Sequence, residues 1–440
     1  MTRKWFGTDG IRGVANVDLT AELAVRVGRA AVSVLGGEHR GRLLVGRDTR
    51  LSGRMLEAAL AAGVASAGGR AVLAGVVPTP AVSRLVAAGG FDGGVVISAS
   101  HNPFQDNGIK LFGPAGKKLS DEVEARVEAV MEQASAADDV GDVQLMPGAG
   151  ALYVEDLLGA LDVDLSGLRV LLDCANGAAY QVAPLAFMQA GATVETICAA
   201  PDGVNINAGC GSTYLGTIAG HVAQGDFDLG LAFDGDADRV LAVDHTGAVV
   251  DGDQILALLA PWMKQRGRLV NDTVVVTSMS NLGFHKAMSK AGIRVEVTDV
   301  GDRYVLERME QVPAVLGGEQ SGHVIALDLG STGDGLQTGL MLCRAVLDSG
   351  RTFSDLAKTM RRFPQLLVNV RVGDKGRLGD AQQVWDAVRE EEAALGGEGR
   401  VLLRPSGTEP LVRVMVEAPD EERCRLVADR LIATVQRALA

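Results

Sequence analysis

Residues 229–239 read Leu-Gly-Leu-Ala-Phe-Asp-Gly-Asp-Ala-Asp-Arg: an apolar strand, Leu229 to Phe233, that ends in the carboxylates of Asp234, Asp236 and Asp238. Alternate positions in an extended loop let all three side chains gather around one hard cation, with magnesium the leading candidate. A calcium EF-hand is excluded, because the sixth and twelfth loop positions, which need Gly and Glu, are Arg239 and His245. The competing reading is a solvated acidic turn, which like-charge repulsion disfavours unless something cationic holds it.

The same layout occurs twice more. Gly94-Val95-Val96-Ile97 precedes Ser98-Ala99-Ser100-His101-Asn102, and Ala314-Val315-Leu316 precedes Gly317-Gly318-Glu319. Further strand candidates are Leu43 to Val45, Ala71 to Leu73, Leu168 to Leu172 and Val274 to Val276, alternating with helical stretches such as Ala21 to Leu35. Short β-branched runs alternating with helices read as βαβ units and parallel sheets. Ligands bind such sheets beyond the carboxyl ends of their strands, so three loops from three domains can converge on one cleft.

Gln133 to Gly150, rich in Ala, Asp and Gly and without periodicity, is the best linker candidate. Weaker breaks fall at Asp251-Gly252-Asp253 and Arg362-Phe363-Pro364. The expected organisation is three similar α/β domains with mainly parallel mixed sheets, over 1–150, 151–253 and 254–363, then a smaller α+β domain over 364–440. In the last, strands Leu366 to Val372 and Leu411 to Val416 precede a helix with Cys424, Val427, Leu431, Val435 and Leu439 at helical spacing.

At 440 residues the chain is too long for a single small binding module, and 47% hydrophobic content supports several cores. Forty-two basic against fifty-five acidic residues give a net charge of −13, which excludes nucleic-acid binding by the surface as a whole. The longest apolar run, Ile255 to Met263, falls well short of the roughly 18 residues of a membrane span. Met1 to Phe6 turns polar and glycine-rich at Gly7, leaving no secretory h-region, so no membrane and a cytoplasmic location are expected. Cys174, Cys198, Cys210, Cys343 and Cys424 are odd in number and lack a Cys-x-x-Cys, which argues against a disulfide framework and a zinc site. Ordinary buried or half-buried thiols are expected.

Ser100, at a strand end, suits a nucleophile or phosphate carrier, with a turn or cap role as the alternative. An esterase elbow is absent, since Ser98 and Asn102 occupy its glycine positions. His101 beside it fits a structural or a catalytic role. Lys110, after the turn signal Asp106-Asn107-Gly108-Ile109, can aim a cation at phosphate or simply be solvated. The glycine-rich turn Phe6 to Gly13 carries Arg12 but is no Walker loop. Arg404-Pro405-Ser406-Gly407-Thr408-Glu409-Pro410, with Arg413 beyond, collects guanidinium, hydroxyls and glycine as a phosphate clamp would; a polar hairpin is the plain reading. Gly318 to His323 offers hydrogen-bonding groups suited to sugar hydroxyls or an amine. No dinucleotide fingerprint competes, and together these parts call for a small phosphorylated polar substrate.

The ordered set FGTDGIRG (6–13), ISASHNPFQDNGIK (97–110), FDGDADR (233–239), GGEQSGH (317–323) and RPSGTEP (404–410) resembles the α-D-phosphohexomutase superfamily from end to end, and its glucosamine-phosphate branch in GEQSGH and FGTDGIRG. The resemblance implies four domains around a central cleft. It implies isomerisation of glucosamine 6-phosphate to glucosamine 1-phosphate, toward UDP-N-acetylglucosamine and peptidoglycan precursors. Ser100 would carry the phosphoryl group, with glucosamine 1,6-bisphosphate as intermediate and activator. One Mg²⁺ would be held by Asp234, Asp236, Asp238 and a phosphoserine oxygen of Ser100.

By the same resemblance Arg12, Lys110 and Arg239 belong near the reacting oxygens and His323 is a proton shuttle, with His101 a further catalytic candidate beside Ser100. Glu319 and Ser321 would read the sugar, while Arg404, Ser406, Gly407, Thr408 and Arg413 clamp the other phosphate. The general base stays open, as does assembly into a homodimer. Turnover of the bisphosphate calls for a mobile fourth domain, hinged near Phe363-Pro364. The rivals are the same chemistry on glucose or mannose phosphates, a Mg²⁺-dependent phosphatase, and a sugar-phosphate binding protein with an inert Ser100.

Overall fold

A computed structural model describes residues 4–7, 9–37, 41–133, 135–406 and 409–439. The chain forms two compact units, Met1–Met279 with Ile293–Thr359, and Ser280–Gly292 with Met360–Ala440.

The first unit holds three sheets. One contains β1 (Ile11–Val14), β2 (Arg42–Arg47), β3 (Arg70–Val76), β4 (Gly93–Ile97), β5 (Asp106–Phe112) and β6 (Asp142–Leu145), in the order β1-β5-β4-β2-β3-β6. It is parallel from β4 through β6 and antiparallel at the β1–β5–β4 side. The second contains β7 (Arg169–Asp173), β8 (Thr193–Ile197), β9 (Leu229–Phe233), β10 (Val240–Asp244) and β11 (Val249–Val250), ordered β11-β10-β9-β7-β8 and parallel across β9, β7 and β8. The third contains β12 (Thr273–Thr277), β13 (Arg294–Thr298), β14 (Leu316–Gly318) and β15 (Val324–Ala326), ordered β13-β12-β14-β15 with only β15 antiparallel.

Every residue of β4, β9 and β12 is buried, as expected of central strands covered on both faces. The apolar run Ile255 to Met263 lies in helix Gly252–Gln265, which starts at a capping box between Asp251 and Gln254. Its Ile255, Leu256, Leu259 and Met263 are fully buried, each worth about 1.5–3 kcal/mol. Among the described residues no helix is long and apolar enough to cross a membrane.

The second unit is an antiparallel sheet of β16 (Gln365–Arg371), β17 (Arg400–Pro405) and β18 (Leu411–Glu417), ordered β16-β18-β17, with helices Gln382–Leu395 and Glu421–Ala438. Val384, Val414, Val427, Leu431 and Val435 share its core. Helix Leu282–Lys290 belongs to this unit, and Asn281 before it ties both backbone groups of Phe363: Phe363 N–H donates to Oδ1 at 3.0 Å and Nδ2 donates to the Phe363 carbonyl at 2.9 Å. Phe363, one of the two expected hinge residues, thus has both backbone groups hydrogen-bonded within this unit.

Three local expectations shift. The stretch read as linker contains β6, whose four residues are all exposed; it pairs with β3 through backbone alone, so its side chains carry no burial pattern. β14 starts at Leu316 rather than Ala314 and includes Gly317 and Gly318, where a Cβ on Gly318 would lie 2.5 Å from the His323 carbonyl oxygen. β17, the strand before the expected loop, runs to Pro405 and so supplies Arg404 from a strand rather than from the loop.

Candidate active site

β4, β9 and β14 are each followed by one of the three polar loops, and these loops meet within the first unit. Asp234, Asp236 and Asp238 are buried and can present one oxygen each within 4.8 Å of one another. Asp234 Oδ1 accepts the Arg239 N–H at 3.2 Å, and Asp236 Oδ2 accepts Thr79 Oγ1 at 2.7 Å and Lys110 Nζ at 3.0 Å. Asp236 Oδ1 and Asp238 Oδ1 are buried and accept no hydrogen bond among the described residues. Burial, then the neighbouring Asp238 and Asp236, pushes the Asp234 carboxyl well above its usual range. Crowded carboxylates with unused buried oxygens fit a hard divalent cation, and the acidic-turn alternative fails because these groups are not solvated.

The Ser100 hydroxyl donates to Asp234 Oδ2 at 2.6 Å and lies 3.1 Å from His101 Nδ1. Ser100 itself has φ +52°, a left-handed conformation costly for serine. Gly235 makes room for this strained turn, since a Cβ there would come within 2.4 Å of the Ser100 carbonyl oxygen. Arg50, fully buried after β2, holds the turn open: Nη2 donates to the carbonyls of Ser100 at 2.9 Å and Asn102 at 2.8 Å, and Nη1 to those of Pro103 and Asp106. Asp48 anchors the guanidinium at 2.8 Å and also accepts Ser98 Oγ at 2.6 Å. From the loop after β8, Asn207 Nδ2 donates to the Ser100 and Asn102 carbonyls at 2.9 and 3.1 Å.

Around this centre charges alternate. Asp9 pairs with Arg12, with Lys110 at 3.2 Å and with Lys118 at 2.6 Å; Lys118 also pairs with Asp302. Burial works against the Lys110 charge, but Asp236, Asp9 and Asp238 outweigh it and hold the ammonium above its ordinary range. Burial, then Arg239 and Arg12, lowers His101 from its ordinary range. Gly333 N–H donates to His323 Nε2 at 3.1 Å, which places the neutral ring's proton on Nδ1, 3.5 Å from Asp238 Oδ2. Burial opposes a charged His323, yet Asp238 and Asp302 raise it.

Next to the triad is a cavity of about 430 Å³ lined by Arg12, Lys118, Arg239, Glu319, Ser321 and His323, among others. Ser321 Oγ is buried without a partner among the described residues. Ser100, His101, Lys110, Arg12, Arg239, Glu319, Ser321, His323 and the three aspartates are thus assembled in the first unit.

Arg404, Ser406 and Arg413 lie in the second unit, where Arg404 and Arg413 face each other across β17 and β18. Ser406 is buried, and its carbonyl accepts Lys375 Nζ at 2.6 Å. Gly407 and Thr408 lie outside the described residues. Sequence reasoning missed Arg50, Asp48, Asn207, Asp9, Lys118 and Asp302. Asp9 stood inside a quoted motif, and the charged run Arg47-Asp48-Thr49-Arg50 directly after β2 was a readable signal.

Comparison with known proteins gives matches along the chain to the phosphoglucomutase/phosphomannomutase family: alpha/beta/alpha domain I at residues 3–138, domain II at 151–247, domain III at 251–363 and the C-terminal domain at 367–434. A phosphoglucosamine mutase of Streptomyces coelicolor is 55% identical over 447 residues, covering 99% of both chains. One from Saccharopolyspora erythraea is 55% identical over 438 residues, covering 98% of both. A crystal structure of a phosphoglucomutase/phosphomannomutase family protein from Burkholderia thailandensis superposes with TM-score 0.82 at 25% identity, over 98% of this chain and 97% of that one.

Proposed function

The chain belongs to the phosphoglucosamine mutases of the phosphoglucomutase/phosphomannomutase family, and from that premise we propose that it interconverts glucosamine 6-phosphate and glucosamine 1-phosphate by passing a phosphoryl group through Ser100. In the phosphorylated enzyme, a sugar hydroxyl attacks phosphorus and the bond to Ser100 Oγ breaks, leaving glucosamine 1,6-bisphosphate. The sugar turns over and Ser100 Oγ takes back the other phosphoryl group. The observation that carries this reading is the Ser100 hydroxyl lying 2.6 Å from the Asp234 carboxylate, a nucleophile set directly on a cation-type oxygen cluster.

Asp234, Asp236 and Asp238, with a phosphoserine oxygen, would hold one Mg²⁺. Bound there, the ion supplies charge neutralisation of the transferring group, most of what phosphoryl transfer requires. Lys110, Arg12 and Arg239 contribute fixed positive charge around the same oxygens. His101, 3.1 Å from Ser100 Oγ, would return a proton to that oxygen as the hydroxyl re-forms and take it up again when Ser100 attacks the bisphosphate. His323, the shuttle in this reading, would have to release the Gly333 N–H from Nε2 to reach a sugar hydroxyl, since its Nδ1 proton faces Asp238. Glu319 and Ser321 read the sugar, the carboxylate favouring a 2-ammonium group, and Arg404, Ser406, Gly407, Thr408 and Arg413 take the non-reacting phosphate. Domains over 1–150, 151–253, 254–363 and 364–440, a cytoplasmic location and a homodimer belong to the same reading.

The deciding experiment joins intact mass to turnover. The protein is weighed for one phosphate on Ser100, then glucosamine, glucose and mannose 6-phosphates are followed with Mg²⁺ and a trace of the matching bisphosphate. Preference for the amino sugar is expected; preference for a neutral sugar, or phosphate release without isomerisation, would overturn the assignment.

A further inference from the structure

The cysteine spacing points away from a metal site, yet the second sheet brings two thiols to one carboxylate. Asp173 closes β7, Cys198 follows the parallel neighbour β8, and Cys210 returns to them at the end of the intervening loop. One ligand atom of each lies within 4.8 Å of the other two. Asp173 is oriented by the N–H groups of Ala175 at 2.9 Å and Gly211 at 2.8 Å, and Asn176 Nδ2 lies 3.9 Å from Cys210 Sγ. Asp173 and Cys210 are buried, while half-buried Cys198 leaves a way in from solvent.

We propose that Cys198, Cys210 and Asp173 form a second cation site, for a thiophilic divalent ion such as Zn²⁺, chemically distinct from the all-oxygen triad. Binding releases the two thiol protons to solvent and forms two metal–thiolate bonds and one metal–carboxylate bond, with water completing a tetrahedron. Two sulfur donors select zinc over magnesium by softness. A disulfide is the other use of paired thiols, and the surroundings favour it less. Asp173 decides between them: within 4.8 Å of both sulfurs, it has no part in a disulfide but completes the donor set of a cation. A divalent ion brings the positive charge that thiolates here lack.

The site's place gives it leverage. The residues between the two cysteines form the loop whose Asn207 amide holds the Ser100 and Asn102 carbonyls, and whose Gly203 carbonyl accepts the Leu51 N–H at 2.8 Å. An ion at the neck of this loop ties it down on the nucleophile's turn without touching substrate.

The test titrates full-length protein with Co²⁺ in excess Mg²⁺, then displaces it with Zn²⁺. One equivalent with a thiolate-to-cobalt charge-transfer band is expected, retained in Asp236→Asn, and Zn²⁺ should shield the half-buried Cys198 from a thiol reagent. Cys198→Ser, at a half-buried position, should fold as judged by circular dichroism and weaken Zn²⁺ binding by at least about 10-fold; Cys198→Ala gives a second variant should serine perturb the loop. No charge-transfer band, a band that survives Cys198→Ser with Cys210→Ser, or a Cys198–Cys210 disulfide with no ion taken up would each overturn the site.

Discussion

Arg50 Nη2 and the Ser100 carbonyl oxygen sit 2.9 Å apart, with Arg50 1% and Ser100 2% exposed. A cation that never reaches the substrate thus moulds the turn that carries the nucleophile. The left-handed conformation of Ser100 persists because Arg50 and Asn207 both occupy its carbonyl, which over-determines a backbone that serine alone would leave.

Arg50→Lys keeps the charge but loses the planar fork that reaches four carbonyls. A turn displaced by an ångström should lower kcat by about 10²-fold while KM for the sugar phosphate stays within a few-fold. Steady-state kinetics separate the two; a rise in KM at constant kcat would place Arg50 in substrate binding instead.

Ser100→Ala removes the hydroxyl bonded to Asp234 and His101 and should abolish mutase turnover. The fold and sugar-phosphate binding should survive, as calorimetry and equilibrium binding would record. Full activity in this variant would remove Ser100 from the reaction.

Asp236→Asn removes the negative charge that Lys110 and Thr79 face at this position and takes away one candidate metal oxygen. The expected outcome is a higher Mg²⁺ requirement and slower phosphoryl transfer in a folded protein, found by titrating metal against rate. If loss of stability explained the whole effect, the aspartates would be a structural turn.

Glu417, fully buried at the end of β18, accepts Arg400 Nε at 2.6 Å, Leu282 N–H at 2.9 Å and Asn281 Nδ2 at 3.2 Å. Glu417→Ala takes this acceptor from three donors, the Arg400 guanidinium and the Leu282 and Asn281 N–H groups, and should cost about 3–5 kcal/mol in urea unfolding. Glu417→Gln should recover part of that loss, because it keeps an acceptor for the two N–H donors.

The triad, the Ser100 turn and the Glu319 loop were legible because each is a buried apolar run ending within a few residues in its chemistry. Arg50 and Asn207 were not, since both act on backbone carbonyls, and a carbonyl looks alike in every residue. Their partners lie 50 and 107 residues away along the chain. β6 escaped notice because an exposed edge strand has no face to bury, and Cys198 with Cys210 because twelve intervening steps resemble no metal motif. What sequence pattern records is burial and local spacing; what it omits is who meets whom across sheets.

Ser100 and Asp234 are 134 residues apart, and His323 is farther still. On a ribosome adding about 5–20 residues per second, the finished nucleophile turn waits roughly 7–27 s before its carboxylate partner is synthesised. During that interval the nascent first domain displays a serine that lacks first Asn207, which holds its carbonyl, and then Asp234, which takes its hydroxyl. Chain order therefore acts as a timer: the fragment released by an early translational stop can hold the serine but cannot spend a sugar phosphate on it.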